Sequence, residues 1–133
     1  MKNSKLKGII GVVLAVVICI GAQSVAMASS NTKNFKKNFV DGTNYTLGYA
    51  DKITTNQWVT FAVDSGKTLD LWAAYYSNGV VFTETVKVMP GQSGIRAYCK
   101  TGLSANKGTT IKARGQQSSK SGTNTVSGRV DYQ

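Results

Sequence analysis

The chain has 133 residues, enough for one small domain, and its 16 Lys and Arg against 6 Asp and Glu leave a formal charge of +10 at pH 7. The absence of histidine excludes an imidazole base, a Ser–His or Cys–His pair and a histidine-ligated metal, and 2 cysteines cannot build a four-thiolate zinc site or a multi-bridge disulfide framework. A hydrophobic fraction of 41% is compatible with a packed core and argues against disorder along the whole chain.

At the start, Lys2, Lys5 and Lys7 precede an apolar run from Ile9 to Ile20, and small and polar residues then lead to Ala26-Met27-Ala28. A basic start, a short apolar core and a small-x-small site read as a helical secretory signal peptide over residues 1–28, cleaved after Ala28. The apolar core falls short of the roughly 20 residues that a spanning helix needs. Cys19 lies inside that core behind the bulky Ile18, so it reads as one more apolar residue of the discarded peptide rather than a lipidation site. Cleavage would leave Cys99 as the only thiol, so stability must come from packing and sheet hydrogen bonds instead of an internal disulfide.

Residues 29–38 are polar and carry Lys33, Lys36 and Lys37, which predicts a flexible leader; residues 39–133 read as a single β domain. Alternation then runs through the chain. Tyr45, Leu47 and Tyr49 share one face of a first strand, and Val59, Phe61 and Val63 share a face of a second, followed by a turn at Asp64-Ser65-Gly66-Lys67. Leu69, Leu71, Ala73 and Tyr75 oppose Asp70, Trp72, Ala74 and Tyr76 on a third, and Ser77-Asn78-Gly79 signals a tight hairpin. Val80, Phe82, Val86 and Val88 run down a fourth, in a register that would bury Glu84 unless a bulge swings it outward or Arg96 pairs with it. Ile95, Ala97 and Cys99 follow, then Thr109, Ile111 and Ala113, a loop over residues 115–124, and a last strand with Val126, Val130 and Tyr132 on one side. The fold class expected is all-β, a small antiparallel β-sandwich, with a small β-barrel as the alternative.

Acid–base chemistry usually requires converging carboxylates, an activated nucleophile or a metal. Asp41, Asp51, Asp64, Asp70, Asp131 and Glu84 show no pairing by spacing and read as solubilising groups, so no enzyme, no cofactor and no metal site are expected. The charge is more informative. Alternation puts Arg96 and Lys100 on one face of their strand, and Lys112 and Arg114 on one face of the next; if those strands pair, a basic patch results. Trp58, Trp72 and Tyr76 each face away from apolar neighbours and offer a stacking surface, the alternative being ordinary packing.

A signal peptide, a Thr-Thr-x-x-Trp segment (Thr54 to Trp58) and a Thr-Val-Ser-Gly ending (Thr125 to Gly128) resemble small secreted β-rich proteins of Gram-positive bacteria grouped as a domain of unknown function. In size and β content the chain also resembles lactococcin-type secreted bacteriocins. These resemblances imply an exported β domain. The expectation is a secreted, cationic, non-enzymatic protein that binds anionic cell-envelope or extracellular-matrix polymers or a membrane surface, with nucleic acid a lesser partner. The alternative is a bacteriocin-like antimicrobial acting on the membrane or wall of competitors.

Overall fold

A computed structural model describes residues 31–120 and 122–133. The signal peptide expected over residues 1–28 lies outside the described residues. Eight strands are present among the described residues: β1 (Thr32–Phe39), β2 (Tyr45–Asp51), β3 (Trp58–Ser65), β4 (Leu69–Tyr75), β5 (Val86–Val88), β6 (Ile95–Tyr98), β7 (Thr110–Gln117) and β8 (Asn124–Asp131). They form two four-stranded antiparallel sheets, ordered β1-β8-β3-β6 and β2-β7-β4-β5. β1 pairs with β8, β2 with β7, β3 with β6 and β4 with β5. The chain is therefore one long antiparallel ribbon folded over on itself, its strand pairs dealt alternately to the two sheets, which is the jelly-roll construction. The fold is a β-sandwich, not a barrel.

The inner faces follow from alternation. Val59, Phe61 and Val63 of β3, Leu69, Leu71 and Ala73 of β4, Ile111 and Ala113 of β7, and Val126 and Val130 of β8 are all buried, joined by Phe82 and Tyr132. Each large side chain removed from water here contributes about 1.5–3 kcal/mol. Two inward glycines make room for neighbours: a Cβ on Gly115 would stand 2.5 Å from Leu71 Cδ2, and one on Gly128 would stand 2.2 Å from the Ala62 carbonyl oxygen and 2.6 Å from the Phe35 ring.

Several expectations are corrected. Thr32–Phe39 is not a loose leader but a strand paired with β8 along its whole length, because Phe35 and Phe39 reach the core while the intervening lysines and asparagines stay wet. β2 carries a register shift between Thr46 and Gly48. That bulge reverses the alternation beyond it: Leu47 stays in, Tyr49 turns out, and Lys52 becomes buried. The turn expected at Asp64-Ser65-Gly66-Lys67 joins β3 and β4 of different sheets, so this segment arches between them. Gly66 is required there, with φ +105° and the Thr125 carbonyl oxygen 2.5 Å from where a Cβ would stand.

The Asn78-Gly79 turn does form, with the Tyr75 N–H donating to the Val80 carbonyl at 3.0 Å. The strand expected beyond it is broken, however. Thr83 bridges Cys99 while its hydroxyl accepts the N–H of Ala73 in β4 at 2.9 Å, and this places Thr83 inside and Glu84 outside. Glu84 instead accepts the Tyr98 N–H at 3.3 Å. β7 runs on to Gln117, into what read as loop, because the buried Gln117 amide donates to the carbonyls of Phe39 (3.0 Å) and Gly122 (2.7 Å). Asp131, read as a surface group, is buried, and its carboxylate accepts from Gln133 at 2.7 Å.

The sheet edges are all blunted. β5 has 3 residues and β6 has 4, β2 is bulged, and β1 carries Lys33, Lys36 and Lys37.

Candidate functional site: a basic trough across the outer face of one sheet

The sheet β2-β7-β4-β5 turns the even-numbered residues of β7 and β4 outward. On β7 these are Thr110, Lys112, Arg114 and Gln116, which alternate with the buried Ile111, Ala113, Gly115 and Gln117. On β4 they are Asp70, Trp72 and Ala74, and Arg114 is the register partner of Trp72 in β4 and of Thr46 in β2.

Across this face runs an open trough of about 320 Å³ lined by Asn44, Trp72, Val81, Thr85, Lys100, Arg114 and Gln116. Arg114 and Lys100 enter it from different elements, the first from the middle of β7 and the second from the segment that follows β6. The Lys100 N–H donates to the Phe82 carbonyl at 2.8 Å, which fixes that segment beside the Val81 wall. No carboxylate lines the trough, and among the described residues the one ion pair is Arg129 with Asp64 (2.9 Å), on the other sheet. The Nε of Arg114 is shielded from water and has no hydrogen-bond partner among the described residues. The site therefore offers two cations without an ion pair, neutral donors and acceptors from Asn44, Thr85 and Gln116, and part of the Trp72 side chain. That is the chemistry of an anion-binding surface.

The sequence-predicted residues divide between the two faces. Lys100, Arg114 and Trp72 meet at the trough. Lys112 stands two residues from Arg114 on the same outer face, in register with Tyr49 and Ala74, and the Tyr76 ring leans on that of Tyr49 with centroids 5.2 Å apart. Arg96 and Trp58 are elsewhere. β6 and β7 lie in different sheets, so the pairing that would have joined Arg96 to Lys112 does not occur. Arg96 instead lies over the Trp58 ring, 4.6 Å from its centroid, on the outer face of the opposite sheet, with Tyr98 at 5.8 Å from the same indole. The single patch of four cations expected from alternation is corrected to a trough with Lys100 and Arg114, flanked by Lys112.

Sequence reasoning missed Asn44, Val81, Thr85 and Gln116. Gln116 shares the parity of Lys112 and Arg114 and would have been found by carrying the strand two residues further. The other three come to the trough through tertiary folding and leave no local signal.

The carboxylates are occupied structurally and apart from one another: the Thr110 hydroxyl donates to Asp51, the Ser118 hydroxyl to Asp70 at 2.6 Å, and the Gly122 N–H to Asp41 at 3.0 Å. Among the described residues no group of three or more His, Cys, Asp or Glu is placed to hold a metal ion.

No family model matches the chain, and no curated protein matches it. Among solved structures, one that matches is that of infectious bursal disease virus Gx strain, at 13% identity and a TM-score of 0.35, over 74% of this chain and 30% of the viral chain. The chain thus spans under a third of the length of that neighbour, and so distant an overlap carries no functional argument.

Proposed function

We propose that this is an exported, non-enzymatic protein that binds anionic polymers of the cell envelope or extracellular matrix across the outer face of the β2-β7-β4-β5 sheet. The observation that carries the reading is the convergence of Lys100 and Arg114, from two different elements, on one trough without a carboxylate in its lining. Export rests on the basic, apolar and small-residue order of residues 1–28, and the formal charge of +10, less Lys2, Lys5 and Lys7 of that segment, leaves +7 to supply the field that draws polyanions in. Binding without catalysis fits carboxylates that each serve a local hydrogen bond and face no partner across the trough.

Polyphosphate, a polyanion with no ring to stack, is the probe. Its affinity should fall roughly tenfold between about 50 and about 200 mM salt, as expected for two or three released counterions. The double variant Lys100→Gln/Arg114→Gln should lose about tenfold in affinity and most of that salt dependence, at an unchanged melting temperature. Arg96→Gln, on the opposite sheet, should bind as the parent does. Parent-like binding by the double variant, or an equal loss in Arg96→Gln, would sink this reading.

A further inference from the structure

The trough leaves Lys112 unexplained. This residue is the next outward position from Arg114 along β7, so the two side chains depart from the strand about 7 Å apart. Its register partner in β2 is Tyr49, whose ring leans at 47° against Tyr76, and both tyrosines are exposed (62% and 54%). Beyond each cation the outward run ends in a neutral residue that faces a carboxylate across the ladder: Thr110 opposite Asp51, and Gln116 opposite Asp70. Two cations in the centre are therefore bracketed by acids at both ends, which limits the anionic register to two positions.

We propose, building on the polymer-binding reading above, that this run is a two-position register for a linear poly(alditol phosphate), one phosphate on Arg114 and the next on Lys112. A three-carbon alditol between successive phosphodiesters spans a length comparable to two strand residues. The carbons between the two phosphates suit the tyrosine pair beside Lys112, and the hydroxyl of the alditol that continues past Arg114 suits Asn44, Thr85 and Gln116 of the trough. A nucleic acid strand would bring the same phosphates but would also need free aromatic faces for its bases. On this sheet Trp72 is only 8% exposed, and Trp58 lies under Arg96 on the other sheet, so the tilted Tyr49–Tyr76 pair beside Lys112 is left to receive a base, too little for successive bases to stack along the run.

The test is titration calorimetry of the full mature chain with glycerol phosphate oligomers of defined length, beside oligothymidylates of equal charge. Affinity should rise on the order of tenfold when the second phosphate is added and only slowly thereafter. Lys112→Gln should abolish that step while keeping the affinity for the single phosphate. Arg114→Gln should weaken both. A step of undiminished size in Lys112→Gln overturns the two-position register but leaves polyphosphate binding, and so the broader reading, intact. Tighter binding of the oligothymidylate overturns it in favour of single-stranded nucleic acid. Failure of the parent to bind polyphosphate or any oligomer overturns both readings together.

Discussion

Lys52 is the least expected residue of the domain. It is fully buried just past β2, and its ammonium donates to the Trp58 carbonyl at 3.1 Å. Desolvation is the dominant influence and pulls its pKa below the ordinary 10.5, against the raising effects of Cys99 and Asp131. Between the lowered value and 10.5 the unfolded chain binds more protons than the folded one, so this lysine makes stability rise with pH through that window. Cys99 and Tyr132 act in the opposite sense. Burial raises both from their ordinary 9.0 and 10.0, so the stability they contribute is lost as pH climbs beyond those values. Lys52→Met removes the first effect, leaves that of Tyr132, and frees Cys99 from the lowering influence of the ammonium, which deepens the loss at high pH. Urea unfolding of that variant should show stability falling more steeply than the parent's between about pH 9 and pH 10.5. Equal slopes would mean that Lys52 is hydrated and titrates as an exposed lysine. The burial of Lys52 was legible after all: Gly48, alone inside a strand pattern, marks the bulge that turns Tyr49 out and Lys52 in.

At the level of the elements, alternation located β3, β4 and the start of β7 because each carries an unbroken apolar row on one face. It failed where polar atoms take over the pairing. Thr83 lends its hydroxyl to the ladder in place of backbone, Gln117 ties two carbonyls at the end of β7, and β1 hides its two phenylalanines among lysines and asparagines. The pairing of β1 with β8 depends on Gly128, which faces Phe35 across the ladder. A methyl group there would press against backbone of β3 as well as the Phe35 ring, so neither neighbour can yield cheaply. Gly128→Ala should destabilise the domain by about 3 kcal/mol, read as a lowered denaturation midpoint. A variant within about 0.5 kcal/mol of the parent would show that β1 slides aside without penalty.

For the molecule as a whole, the consequence of β1 is that the domain begins before Phe39. Phe35 and Phe39 are both buried, and loss of a core phenylalanine costs about 3–5 kcal/mol, against a total stability of about 5–15 kcal/mol for domains in general. A chain starting at residue 40 should therefore lack a cooperative thermal transition by circular dichroism, whereas one starting at residue 29 should keep it. A sharp transition in the shorter chain would restore residues 29–38 to the status of a dispensable leader. The site was legible only in its parts. Charges and aromatics could be sorted by face from the sequence, but which strands share a sheet is set by the folding-over of the whole ribbon, and that decided which cations meet.

On the polymer proposed above, the blunted edges would also govern how neighbouring copies sit. Among the described residues the β5 and β6 borders are short, β2 is kinked and the longer β1 border carries three cations, so each opposes extension by a neighbouring molecule. Molecules crowded together on an anionic thread would sit as separate beads and lift off singly as the salt rises, instead of zipping into a fibre.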